Sequence, residues 1–135
     1  MTPVRKDIHR MTAKWSDLLA IAQSEVNQTI HALPAALRDR VVELPVTFER
    51  RPDKALEEDG IEADTLGLFV GEPFSETGTT AAPLPAQVIL FLENIRDATE
   101  ADEPGYRAEV RTTLLHELGH YLGLDEIDLE ERGLD

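Results

Sequence analysis

Residues Thr112–Glu126 read TTLLHELGHYLGLDE and contain the pattern His-Glu-x-x-His. On an α-helix, residues four apart lie on one face, a turn above each other. His116 and His120 can therefore offer ring nitrogens to one metal ion, and two such imidazoles are a natural half of a zinc site. Glu117, beside the first histidine, can reach a water at the metal as general base. The stretch thus predicts a helix that carries a metal centre.

The helix around this motif has an apolar side and a polar side when residues are placed at about 100° each. We expect the apolar positions to face the core: Val110, Leu114, Leu118, Tyr121 and Leu122. The polar positions fall on the opposite side: Glu109, Thr112, Thr113, His116 and His120. The two histidines therefore belong to a polar stripe that can line a cleft.

Gly123 follows the last apolar position and suits the left-handed conformation that ends a helix. The chain can then turn back and bring a carboxylate to the histidines. Glu126 is the predicted third ligand, and Asp125 and Asp128 are the alternatives. Three protein ligands leave a fourth position open for water. We expect one Zn²⁺ ion, although two histidines and a carboxylate also permit iron or manganese.

The rest of the chain predicts an α+β fold. A helix over about 13–33 is followed by a turn at 34–40, strands at 41–49, 65–70 and 87–92, a short helix at 93–100 and a long helix at 104–122. The run at 87–92 is the most apolar and is predicted to be the central strand. We therefore expect an N-terminal helix, a small three- to four-stranded mixed sheet, and a C-terminal helix with the motif. Residues 71–86 predict a long loop, which either binds or covers a ligand or is a mobile connector.

The composition limits what this protein can be. The chain has 135 residues, which predicts a single domain over 1–135 with an irregular segment at 1–12. Cysteine is absent, so any metal site must use His, Asp, Glu or water. The formal net charge of −14 argues against a nucleic acid or an anionic membrane as partner. No apolar run approaches the roughly 20 residues that span a bilayer, and we expect a soluble cytoplasmic protein.

The motif resembles the active-site helix of the zincin metallopeptidases, whose metzincin form is His-Glu-x-x-His-x-x-Gly-x-x-His or Asp. Here Glu126 stands in the last ligand position, and no methionine follows His120 to form a Met-turn. The chain is more similar to the small bacterial minimal-zincin family over about 15–134. The marks of that similarity are the N-terminal helix, TLGLFVG at 65–71, Leu84-Pro85, LLHELGH at 114–120 and LDEIDLEE at 124–131. The resemblance implies a reduced α+β zincin fold and, more weakly, peptidase chemistry.

Three functions are compatible with such a site. The first is a zinc metallopeptidase that acts on a peptide or protein, with Glu117 as general base. The second is a metal-binding adaptor or regulator without useful turnover, which the small size and the absence of a second substrate-binding subdomain favour. The third is a metal-dependent RNA hydrolase, but Glu117 and the acidic charge count against it. No second donor to an oxyanion is evident, because Tyr106 lies over two turns upstream and Tyr121 is expected to face the core.

Overall fold

The computed structural model describes residues 10–12, 14–71, 86–124 and 126–131, and for residues 126 and 129 it describes the backbone alone. The elements, in chain order, are α1 Trp15–His31, α2 Ala35–Val41, β1 Val46–Glu49, α3 Lys54–Glu58, β2 Gly67–Val70, β3 Gln87–Phe91, α4 Leu92–Ala98, α5 Glu103–Leu122 and α6 Glu126–Glu131. This is the α+β architecture that the sequence predicts. Within the described ranges, no helix combines the length and apolar character needed to cross a membrane.

Within the described part of the chain, the sheet has three strands in the order β1-β3-β2 and is mixed. β1 runs parallel to β3, with Val46 opposite Val88. β2 runs antiparallel to β3, with Gly67 opposite Leu90. The side chains of β3 from Val88 to Phe91 are all buried, which confirms the predicted central strand. β1 and β2 are therefore the two edges of the sheet.

The long helix α5 lies against β2 and β3 on one side and against α1 on another. Apolar residues of α1 repeat every four positions, and Leu18, Ala22 and Val26 are buried. A buried hydrogen bond ties the two helices, because the Tyr106 hydroxyl donates to the Leu18 carbonyl oxygen at 3.0 Å. Burial of this apolar face is what holds α5, and hence the motif, on the sheet.

The ends of α5 follow the rules that the sequence indicates. The Asp102 carboxylate accepts a hydrogen bond from the Gly105 amide at 2.9 Å and caps the first turn, while Pro104 occupies a position where no amide donor is needed. At the other end Gly123 adopts φ 73°, in the left-handed region. The helix therefore begins at Glu103 and stops just after Leu122, close to the predicted bounds.

Two predictions between α1 and β1 are wrong. The segment predicted as a turn forms helix α2, and the strand predicted from residue 41 begins only at Val46. Ala35, Leu37 and their neighbours are good helix formers, and Leu37 and Val41 lie four apart and are both buried. Pro45 then divides the β-branched run, because the ladder begins after it. Residues 72–85, most of the predicted loop, lie outside the described residues.

Candidate metal centre

The motif lies in the last two turns of α5 and brings three polar side chains together. His116 and His120 are exposed and Glu117 is half-buried. The Nε2 atoms of the two histidines lie 3.1 Å apart, and their rings meet edge to face with centroids 4.8 Å apart. One ligand atom from each of the three residues lies within 4.8 Å of the others. The predicted grouping of the two imidazoles on one helical face is confirmed.

This geometry fits a zinc ion. Two Zn–N bonds of about 2.0–2.1 Å at a tetrahedral angle place the two nitrogens about 3.3 Å apart. The observed separation of the Nε2 atoms is 3.1 Å, so only a small rotation of either ring would be needed. Imidazole nitrogens are also ligands that zinc prefers. His116 and His120 could therefore hold the ion, with the remaining positions open to a carboxylate and to water.

Strand β2 passes directly over the helix at Gly67. A Cβ atom at Gly67 would lie 2.5 Å from the Thr113 methyl carbon and 3.4 Å from Cγ of Glu117. Only glycine permits this approach of a strand to a helix. Thr113 is consequently only 7% exposed, so its predicted place on the open polar stripe is wrong. The contact sets the position of Glu117 relative to the edge of the sheet.

A cavity of about 260 Å³ opens between β2 and α5 next to the motif. Its lining residues come from the end of the loop before β2 and from two turns of the helix: Leu66, Gly67, Glu109, Thr112, Thr113, His116 and Glu117. The Thr113 hydroxyl donates to Oε2 of Glu109 at 2.9 Å and holds that carboxylate at the cavity. Sequence reasoning placed Glu109 on the polar stripe but did not identify the cavity, because Leu66 and Gly67 are distant in sequence.

The predicted third ligand follows the helix stop. The Leu124 amide donates to the Gly119 carbonyl oxygen at 2.8 Å, which closes the turn around Gly123. Glu126 is the first residue of α6, and its side chain lies outside the described part of the chain. The alternative Asp125 lies outside it as well, whereas Asp128 is described and half-buried on α6. The identity of the third ligand therefore stays a prediction.

Both tyrosines of the chain are engaged in packing. Tyr106 is fully buried and donates to Leu18, and burial raises the pKa of its hydroxyl. Tyr121 is half-buried with its ring 5.7 Å from that of Phe69. Burial, together with the negative charge of Glu43, raises the pKa of Tyr121. The packing of Tyr121 against the core agrees with the expectation for that residue.

A polar clamp fixes the segment that enters β2. The buried Asn94 amide donates to the carbonyl oxygens of Ala63 and Thr65 at 2.8 and 2.9 Å. Its Oδ1 atom accepts from Arg51 at 2.6 Å, and Arg51 also pairs with Asp97 at 2.8 Å. The neighbouring guanidinium groups, first of all that of Arg51, hold the pKa of Asp97 below its ordinary value. This clamp anchors the loop just before the strand that faces the metal centre.

The fold and the site together define a small α+β protein whose longest helix presents a two-histidine group able to hold a metal ion. A family model described as zincin-like metallopeptidase matches residues 41–134. That span includes the sheet, α5 and the motif and exceeds half of the chain, so the protein belongs to the zincin-like metallopeptidase family. No curated protein matches the chain significantly.

Proposed function

We propose that this protein is a zinc-dependent peptidase that hydrolyses a peptide or protein substrate. The observation that carries the proposal is the pair of Nε2 atoms 3.1 Å apart with the Glu117 carboxylate beside them on the same helix. Zinc bound there would supply Lewis acidity, which polarises a carbonyl group and makes water more acidic. Membership of a metallopeptidase-like family supports the same reaction class.

Glu117 is the proposed general base. Its carboxylate is half-buried at the boundary between the cavity and the exposed histidines, so it faces both a bound water and a bound peptide. It would accept a proton from the attacking water and return that proton to the leaving amine as the peptide bond breaks. The stem of Glu117 lies beside β2, because a Cβ atom at Gly67 would be 3.4 Å from its Cγ. The strand therefore restricts the rotamers open to the side chain and helps to orient the carboxylate.

The outer edge of β2 is the proposed place for the substrate backbone. Among the strands that the structure describes, β2 is the outermost on the side of α5, and Gly67 brings it against the helix that carries the motif. An extended peptide can add to such an edge through main-chain hydrogen bonds. A peptide aligned along β2 would lie between the sheet and the two histidines, with its scissile carbonyl near Glu117.

The proposed third ligand is Glu126, with Asp125 and Asp128 as the alternatives. All three follow the turn at Gly123, which directs the chain into α6, and α6 contacts α5. Single replacements of each acid by its amide separate them, because only loss of the ligand should weaken zinc binding. We expect Glu126→Gln to lower zinc affinity by about 10-fold or more, measured by competition with a chromogenic chelator.

The test of the proposed function separates binding from catalysis. Glu117→Gln should still bind one zinc ion but lose kcat by about 10²–10⁴-fold, because the amide cannot take a proton. His120→Ala should lose both zinc and hydrolysis. Glu103→Gln is the matched control, since it makes the same change at the far end of the same helix. Hydrolysis at the wild-type rate by Glu117→Gln would contradict the assigned role.

A second candidate is a metal-binding adaptor or regulator that turns over no peptide. The observation that favours it is that both tyrosines of the chain are engaged in packing, since the buried Tyr106 donates to Leu18 and Tyr121 packs on Phe69. A tetrahedral oxyanion is normally held by more than one group. Incubation of the zinc-loaded protein with a diverse peptide library, read by mass spectrometry, decides between the two. Stoichiometric zinc without a single cleaved peptide would support the adaptor.

A further inference from the structure

The cavity beside the motif contains the carboxylate of Glu109, which has no role in the proposed peptide hydrolysis. Glu109 lies seven residues before His116, which places it about 20° from that histidine around the helix and about 10.5 Å along the axis. Both residues line the same cavity. Glu109 is too far along the helix to join the metal centre, yet it lies on the face where a substrate would pass.

The Glu109 carboxylate is held in place through one of its two oxygens. The buried Thr113 hydroxyl donates to Oε2 at 2.9 Å. Among the residues that the structure describes, no cationic side chain is paired with Glu109 and Oε1 has no hydrogen-bond partner. Arg111, two residues on, lies about 200° around the helix and therefore on its other side. A half-buried carboxylate with these surroundings favours a cationic ligand.

The walls of the cavity suit a long side chain with a charged end. Leu66, Gly67 and the methyl group of Thr113 give it an apolar side, and its two acidic groups are Glu109 at one end and Glu117 at the other. Lysine and arginine bury an aliphatic stem along apolar surface while the cationic end remains paired. A lysine spans roughly 6 Å from Cα to Nζ, and an arginine slightly more.

We infer that this cavity is a specificity pocket and that Glu109 selects a lysine or arginine side chain close to the bond that is cleaved. The inference rests on the proposed peptidase function. A backbone aligned on β2 with its scissile carbonyl near Glu117 would place the adjacent side chain at the mouth of the cavity. The levels of His116 and Glu109 lie about 10.5 Å apart. A lysine of roughly 6 Å and a charge-assisted hydrogen bond of about 2.8 Å cover most of that distance, so only a long basic side chain can approach Glu109 from a peptide held at Glu117. A free peptide amino group next to the cleaved bond would be too short to reach.

The test uses zinc-loaded full-length protein and blocked peptides. N-acetylated, C-amidated peptides would differ only at the residue flanking the cleaved bond, which is lysine, arginine, norleucine, glutamine or glutamate. We expect kcat/KM for the lysine and arginine peptides to exceed that for the norleucine peptide by about 10-fold or more, which corresponds to one charge-assisted contact. The preference should weaken as salt is raised.

Variants then assign the preference to one carboxylate. Glu109→Gln keeps the size of the side chain and an acceptor for Thr113, so it should fold normally while the basic-to-norleucine ratio falls to near one. Glu109→Lys should reverse the preference toward the glutamate peptide. Glu103→Gln makes the same charge change on the same helix, where the carboxylate pairs with Arg107 at 3.1 Å, and should leave the ratio unchanged. A ratio retained in Glu109→Gln, or no basic preference in the wild type, would overturn the inference.

Binding measurements keep this inference separate from the proposed function. Isothermal titration of zinc-loaded Glu117→Gln with the lysine and norleucine peptides measures the pocket without turnover. Tighter binding of the lysine peptide, abolished by a second change Glu109→Gln, would support the pocket even if no peptide were cleaved. A preference that depends on a free N-terminus, seen only when the acetyl group is removed, would overturn the assignment to a side chain.

Discussion

At the scale of single residues, the contact between Gly67 and Thr113 decides how the sheet meets the helix. The backbone of Gly67 is ordinary strand, so the residue is required by space and not by conformation. Gly67→Ala would bring Cβ to 2.5 Å from the Thr113 methyl carbon. We expect a loss of about 1–3 kcal/mol in the free energy of unfolding, as for other overpacked sites, measured by urea denaturation.

A second replacement shows whether that methyl group is the cause. Thr113→Ser removes the methyl and keeps the hydroxyl that Glu109 accepts from. Alone it should cost about 0.5–1.5 kcal/mol for the deleted group. In the double variant the added and removed methyl groups offset each other, so its loss should be smaller than the sum of the two single losses. Strict additivity would mean that the strand relaxes elsewhere and that the close contact does not position Glu117.

At the scale of elements, Asn94 links α4 to the loop that leads into β2. Its amide satisfies the Ala63 and Thr65 carbonyl oxygens, and the side chain is only 4% exposed. Asn94→Ala leaves buried acceptors without donors, which costs about 1–3 kcal/mol. Hydrogen exchange should become faster in β2 than in β1, because only β2 follows the clamped loop. Equal changes in the two strands would indicate a general loss of stability.

The ion pair behind this clamp should depend on pH. Arg51 and Arg96 hold the pKa of Asp97 below 3.8 in the folded protein, whereas the unfolded chain restores the ordinary value. The pair therefore stabilises the fold above about pH 4, and that contribution disappears as the pH falls through the folded-state pKa. The stability difference between wild type and Asp97→Asn should shrink from pH 7 to pH 3. A difference that stays constant over this pH range would contradict the role assigned to the pair.

The sequence predicts an element well when the interactions that form it lie within that element. Helix α5 was predicted well because its cap at Asp102, its stop at Gly123 and its apolar stripe all lie within the helix itself. Helix α2 is not evident in the sequence because the β-branched residues Val41 and Val42 favour a longer strand, whereas burial of Leu37 and Val41, four apart, favours a helix. Local signals can be read in a sequence, and tertiary packing overrides them where they are weak.

The metal centre also depends partly on local sequence and partly on tertiary contacts. The two imidazoles come from one helical turn, so the motif alone was enough to bring their nitrogens together. The approach of β2 to α5 depends on the pairing of Gly67 with Leu90 and on the burial of Thr113. No local sequence pattern predicts either of these. An isolated glycine within a predicted strand was the only sequence signal of that approach. The cavity at Glu109 is a consequence of the same tertiary contact.

At the scale of the whole molecule, the metal centre lies outside the hydrophobic core. The core is built from α1, β3, α4 and the apolar face of α5, and it includes Leu18, Leu90 and Tyr106. The histidines are exposed on another face of α5. The fold should therefore form without metal, in contrast to small zinc domains whose core depends on the ion. Circular dichroism of protein treated with a chelator should retain the helical signal.

Zinc should nevertheless stabilise this folded state, because only the folded helix holds the two imidazoles one turn apart. A ligand that binds the native state alone at 100 times its dissociation constant adds about 2.7 kcal/mol. For a domain of this size that corresponds to a rise in Tm of the order of 10 °C. The measurement is a thermal melt of the metal-free protein with increasing zinc, followed by circular dichroism.

Two variants show where that zinc binds and how far its effect extends. His116→Ala/His120→Ala should melt near the metal-free wild type and gain nothing from zinc, since both imidazoles are exposed. Glu126→Gln should retain part of the gain if a carboxylate beyond Gly123 completes the site, because two of three protein ligands remain. A zinc-dependent rise in Tm that survives loss of both histidines would place the ion elsewhere and would contradict the centre on α5.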